Sequence, residues 1–287
     1  IIGNAKEADF MALDMDFQKA NLKTAYRYLP VGMDKDVRAY LSKAFDSGTV
    51  QNGRLHIKGD PNQVPFADKQ QGEFSLSLPI FGASYSPAPL LPSNQGTWSS
   101  FTNINGNIAM TNSNFTVDVA KANHKEVVLS ALHAEIPNVS AKQLMVSVNA
   151  NGQGPAQQLL EYFYASPSGK KQATLEKNLR ASGPVDLSLG LKVPLSGSAD
   201  TNVDLKLSLP GNRVKWADFP PFENLKGKIR ITEVNPEFED ISANFLGGAI
   251  KITSADQNSN KQNFKIAGDL QANFFKQYFA NASGSQL

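Results

Sequence analysis

Val185-Asp186-Leu187-Ser188-Leu189-Gly190-Leu191-Lys192-Val193 alternates strictly, and Val203-Asp204-Leu205-Lys206-Leu207-Ser208-Leu209 repeats the pattern ten residues further on. Successive side chains of a β-strand point to opposite faces, so each stretch carries Val and Leu on one face. The other face holds Asp, Lys, Ser and Gly. An apolar sheet face needs a cover: a second sheet, a helix, or a ligand made of hydrocarbon. Which of the three applies is the functional question.

The same alternation recurs outward from this pair, in Phe74-Leu76-Leu78-Ile80, Phe115-Val117-Val119, Leu144-Val146-Val148 and Phe264-Ile266. Pro and Gly punctuate the intervals, notably Pro87 to Pro92 and Pro220-Pro221. Asn52-Gly53 and Asn105-Gly106 lie in strand-like surroundings and predict tight turns or weakly paired corners. Helical periodicity is confined to three short stretches. Asp34 to Phe45 sets Val37, Tyr40, Leu41, Ala44 and Phe45 on one face, with Asp34 as N-cap and Gly48 past the end. Ala156 to Ala165 gathers Leu159, Leu160 and Phe163, and Asn273 to Phe279 reads as a third helix. The first helix is expected to pack Val37, Leu41 and Phe45 onto the sheet.

An internal echo is also present. Phe101-x-x-Ile104-x-Gly106-x-Ile108 matches Phe222-x-x-Leu225-x-Gly227-x-Ile229, with Val50-x-x-Gly53-x-Leu55-x-Ile57 a looser copy. Glycine inside a strand suits a bend or a close backbone approach. Chance recurrence in a β protein is the competing explanation.

Composition narrows the function. The net charge is +2 over 287 residues with signs interleaved, so no basic stripe is available for nucleic acid. There is no cysteine, which excludes disulfides, thiolate chemistry and cysteine-ligated zinc. His56, His124 and His133 show no metal-ligand spacing. Acidic pairs such as Glu239-Asp240 and Asp14/Asp16 read as solvated faces or turns. No Gly-x-Ser-x-Gly elbow, P-loop or dinucleotide fingerprint occurs, so neither an enzyme nor a cofactor is expected. No apolar run approaches the roughly 18 residues of a membrane-spanning helix. The opening Ile1-Ile2-Gly3-Asn4 lacks a Met or a leader, and reads as the start of a piece from a longer protein.

A chain of modest motifs adds a resemblance. Leu225-Lys226-Gly227-Lys228-Ile229-Arg230-Ile231 is followed by Phe238 to Asn244 and then Phe245-Leu246-Gly247-Gly248-Ala249-Ile250. Upstream come Tyr28-Leu29-Pro30, Ala44-Phe45-Asp46-Ser47-Gly48, Val64-Pro65-Phe66, Gly72-Glu73-Phe74, Glu161-Tyr162-Phe163 with Ser166-Pro167, and Gly183 to Val193-Pro194-Leu195. In this order, over roughly residues 20 to 255, they resemble the AsmA-like envelope proteins of Gram-negative bacteria, most closely the YhdP family. One departure is the Ser/Pro/Asn-rich stretch between Tyr85 and Trp98, where a Trp-Pro-like start is expected.

The resemblance implies a mainly β fold: an elongated, curved antiparallel sheet forming an apolar groove, with a few short amphipathic helices. It implies one internal fragment over residues 1–287 of a longer, repeat-like protein, subdivided near residues 90–100. It further implies a periplasmic segment, with an inner-membrane anchor outside this sequence and envelope proteins as partners at either end. Phospholipid acyl chains would lie in the groove on their way from the inner to the outer membrane. The candidate lining residues are Val185, Leu187, Leu189, Leu191, Val203, Leu205, Leu207 and Leu209, followed by Phe74, Leu76 and Leu78. The alternative is a structural or assembly module of the envelope, a closed β-sandwich whose second sheet seals the same residues.

Overall fold

Strands dominate because nearly every segment between Gly/Pro punctuation alternates, and all of them join one antiparallel sheet. The computed structural model describes residues 10–29, 32–68, 70–195, 200–232, 236–254, 264–274 and 276. Its strands are β1 (Met11–Asn21), β2 (Phe45–Gly59), β3 (Gly72–Tyr85), β4 (Phe101–Thr111), β5 (Asn114–His124), β6 (Val127–Ile136) and β7 (Met145–Pro155). They continue as β8 (Leu179–Ser182), β9 (Pro184–Pro194), β10 (Asn202–Trp216), β11 (Phe222–Ile231), β12 (Glu237–Phe245), β13 (Gly248–Ser254) and β14 (Phe264–Gly268). Neighbours in sequence are neighbours in the sheet, except that the short β8 pairs with the far end of β10. Among the described residues β1 and β14 are the edges, and the sheet does not close. Thirteen strands on this path, at about 4.8 Å per step, give a surface roughly 60 Å long. Among the described residues no second sheet faces it, so the closed sandwich is not what this chain forms.

The helices are α1 (Lys35–Ala44), α2 (Ala156–Ala165) and α3 (Ala173–Asn178). α1 starts where Asp34 predicts: its carboxylate accepts from the amides of Asp36 at 2.8 Å and Val37 at 3.2 Å. It does not stop at Gly48 but passes directly into β2 at Phe45, leaving Gly48 within the strand. Val37 is 42% exposed and does not pack onto the sheet, whereas Ala44 is buried and Phe45 sets its ring against Tyr85 at 5.5 Å. α2 has the expected bounds. The third expected helix falls mostly outside the described residues, with helical backbone at 272–274 and 276.

Asn52-Gly53 and Asn105-Gly106 are not hairpin turns. Both lie inside strands, beside register shifts in β2 and β4. Left-handed backbone recurs within the strands, at Asn52 (φ 55°), Gly82 (58°), Asn103 (54°), Ala131 (49°), Asn224 (51°) and Asp240 (52°). The following residues Gly53, Ala83, Ile104, Leu225 and Ile241 are all buried. A β-bulge bends its strand and increases local twist. Such bulges recur from β2 to β12 and bend the strands of the sheet. Gly106 and Gly227 sit beside them because a Cβ there would collide with the Asp118 and Asp240 carbonyls of the neighbouring strand. True tight turns lie elsewhere, as at Leu246-Gly247 (φ 47° and 77°) between β12 and β13.

Candidate functional site

Directly opposed residues of paired strands share a face. Following the register therefore traces the apolar surface residue by residue. Leu78 faces Ile108, which faces Val117, then Ala134, Val148, Leu191 and Val203. That row crosses from β3 to β10 without a polar side chain. A second row runs from Met15 through Leu55, Leu76, Met110 and Phe115 to Ile136. A third joins Ala150, Leu189, Leu205 and Ile231, and a fourth joins Leu187, Leu207, Ile229 and Phe238. Phe74 lies beside the second row, opposite Ile57.

The expected lining residues thus share one continuous face, but not one environment. Leu189, Leu191, Val203, Leu205, Leu207, Phe74, Leu76 and Leu78 are only partly buried. Val185, Leu187 and Leu209 are buried, at 2%, 9% and 7% exposure. The difference comes from the helices. Leu159 of α2 packs against both the Leu129–Leu187 cluster and the Val185–Leu209–Leu225 cluster. It covers the strand ends near Pro155 and Pro184.

The two margins of the surface, where strands end, are therefore unlike. At the margin formed by Phe45, Tyr85, Phe101, His124 and Pro155, the chain folds back as α1, the 86–100 connection and α2. Tyr162 of α2 meets His124 at 5.0 Å, Phe101 at 5.5 Å and Trp98 at 5.7 Å between ring centroids. The Tyr40 and Tyr85 hydroxyl oxygens are 2.5 Å apart, and Tyr40 reaches the Pro87 carbonyl at 3.1 Å. Burial pushes the phenols of Tyr40, Tyr85 and Tyr162 above their ordinary range, so all three are neutral at physiological pH. At the opposite margin the described connections include the 3-10 turn Pro61–Gln63 and the short turn between β4 and β5. Phe66 folds over Gly59 and Gly72 there, and Leu195 remains exposed (52%), while Met15 (41%) and Ile266 (55%) are exposed within the edge strands β1 and β14.

The reverse face is polar and carries the charge pairs. Asp204 accepts from Arg230 Nε at 2.8 Å and Nη2 at 3.3 Å. That guanidinium holds the Asp204 carboxyl below its usual range. His56 Nδ1 lies 2.6 Å from Asp14, and this hydrogen bond raises the imidazole pKa. His133 lies 2.7 Å from Asp118. Among the described residues no group of three or more His, Asp or Glu side chains is arranged to hold a metal ion. The apolar margin formed by α2 was not legible as a cover in the sequence. Its signal, Tyr162 on the sheet-facing side of the helix, needs Phe101 and His124 in space.

Comparison with known proteins agrees with this architecture. The chain is 25% identical over 253 residues to the intermembrane phospholipid transporter YhdP of Escherichia coli (strain K12), covering 87% of this chain. It spans only 19% of that relative's length. No solved structure matches the chain. The sequence profile described as YhdP protein matches residues 3–286, and the chain belongs to the YhdP family.

Proposed function

We propose that this chain is one segment of a periplasmic phospholipid conduit, holding acyl chains on its apolar face while lipid moves between the inner and outer membranes. The observation that carries the reading is the row from Leu78 to Val203: side chains on seven strands, all apolar, in register, with no facing sheet among the described residues. The need is large. Two acyl chains contain about 30 methylenes, and at roughly 0.8 kcal/mol each their exposure to water costs on the order of 20 kcal/mol. Only nearly unbroken hydrocarbon contact removes that barrier along an aqueous path. The name of the Escherichia coli relative, an intermembrane phospholipid transporter, supports the choice of guest.

The work asked of the residues is uniform apolar contact rather than catalysis. Leu189, Leu191, Val203, Leu205 and Leu207 form the track beside Leu76 and Leu78, while Val185, Leu187 and Leu209 support α2. Photo-crosslinking in cells tests the reading. A photoreactive residue at Leu189 or Leu207 should label phospholipid, and labelling no stronger than from Ser188 or Lys206 on the reverse face would refute it.

A further inference from the structure

The ribbon formed by β8 and the end of β10 gathers cations that nothing nearby neutralises. Arg180 stands directly opposite Lys215 in that ribbon. α2 packs against β8, and the 3-10 turn Gly169–Lys171 packs against both α2 and α3, which brings Lys170, Lys171 and Lys177 to the same margin. Lys215 is partly exposed and the other four are fully so. Residues 166–182 and 214–221 hold these five cations against two carboxylates, Glu176 and Asp218. Neighbouring cations are paired, Lys125 with Glu161 at 2.9 Å and Arg213 with Glu223 at 2.7 Å. None of the five forms an ion pair with a carboxylate among the described residues.

Like charges directly opposite on paired strands are destabilising, so an anion over Arg180 and Lys215 would relieve a cost built into the fold. The guanidinium of Arg180 is held in place for that role, since Nη1 donates to the carbonyls of Glu176 at 2.7 Å and Leu179 at 2.8 Å. An apolar side chain stands beside the charges. The turn after β10 is tied to α3 by the Ala217 amide on the Asn178 carbonyl at 2.7 Å, and closed by the Phe219 amide on the Trp216 carbonyl at 3.0 Å. Phe219 in that turn is 56% exposed, and Pro220-Pro221 stiffen the chain behind it. Four of the five cations are lysines, which protein interfaces disfavour, whereas a lysine-rich patch beside an exposed aromatic ring suits the surface of an anionic bilayer.

We propose that this margin is a peripheral membrane contact. Lys170, Lys171, Lys177, Arg180 and Lys215 lie against the phosphates of an anionic phospholipid surface, and Phe219 enters its headgroup region. The contact is separate from the apolar face of the sheet and does not depend on the lipid-binding reading above.

Sedimentation with vesicles tests it. The full chain should sediment with vesicles of phosphatidylethanolamine and phosphatidylglycerol, and not with vesicles of phosphatidylcholine alone. Salt at about 0.5 M should release it, because the screening length falls to roughly 4 Å. Each cation near such a surface is worth about fivefold in partitioning. The double variant Lys170→Glu, Lys171→Glu should therefore lose at least tenfold, and Phe219→Ser severalfold, with circular dichroism confirming that each is folded. Leu205→Asp, on the apolar face, should still sediment with the vesicles, and the double variant should keep its co-purified lipid. No binding to the anionic vesicles, binding that survives the salt, or full binding by the double variant overturns the proposal. Equal loss from Leu205→Asp would assign the contact to the apolar face and overturns it as well. Absence of co-purified lipid from the unaltered chain strikes the lipid-binding reading alone.

Discussion

Asn103 in β4 and Asn224 in β11 occupy the same backbone state, φ 54° and φ 51°, at the same position of the matching segments Phe101–Ile108 and Phe222–Ile229. Each is followed by a buried apolar residue, Ile104 at 6% and Leu225 at 7% exposure, and both strands shift register there. The sequence echo is therefore a structural one: the same bulge, built twice, at distant points of one sheet.

Left-handed backbone costs a β-branched residue about 1–2 kcal/mol, and Asn or Gly much less. Asn224→Val should accordingly lower the unfolding free energy by roughly that amount, while Asn224→Gly changes it little. Ala131, at φ 49° with no polar side chain to favour that state, should gain stability on Ala131→Gly by about 0.5–1 kcal/mol. Urea unfolding midpoints read all three. Equal effects of Val and Gly at position 224 would exclude the backbone account.

Asn212 is buried at 0% exposure and donates from Nδ2 to the carbonyls of Ser182 (3.0 Å) and Pro184 (2.9 Å), pinning the corner between β8 and β9. Asn212→Ala leaves both acceptors without this donor and should cost about 1–3 kcal/mol. The local amides of β8 should exchange faster than those of β5. Undiminished stability in denaturant would show that water replaces the amide.

Charge on the lining should be worse than a missing methyl group. Leu205→Asp puts a carboxylate between Leu189 and Ile231 and should weaken lipid retention roughly tenfold, equivalent to about 1.4 kcal/mol. Leu205→Ala should lose less, and Ser188→Asp, on the reverse face, should lose nothing. Co-purified lipid measured by native mass spectrometry ranks the variants, with circular dichroism confirming that each is folded. Equal loss from Ser188→Asp and Leu205→Asp would point away from the apolar face.

His56 should titrate above the ordinary imidazole value of about 6.5, because its hydrogen bond to Asp14 favours the protonated ring, with Glu73 at 3.5 Å adding to it. A raised folded pKa means that the stabilising contribution is complete below the unfolded value and is lost as pH rises through the folded one. Being exposed, the pair contributes little in size. Asp14→Asn should return the NMR-observed titration of His56 toward the ordinary value, and an unmoved midpoint would assign the shift to another group.

Strand identity and the sheet's two-sided chemistry were legible from sequence, because period-two alternation in segments such as Val185–Val193 is a local property. So were α1 and α2, where Asp34 supplies an N-cap and Pro155 precedes the helix. The bulges were not, since Asn-Gly inside an apolar pattern signals a turn and a bulge equally until a partner strand sets the register. Whether the apolar face is sealed was also beyond it. Leu187 and Leu189 are identical in pattern, yet one is buried near the α2 margin and the other only partly covered, because contacts between Leu159, Tyr162 and strands distant in the chain exist only after folding. Local periodicity determined which side of the sheet is oily; long-range packing decided how much of that side remains reachable.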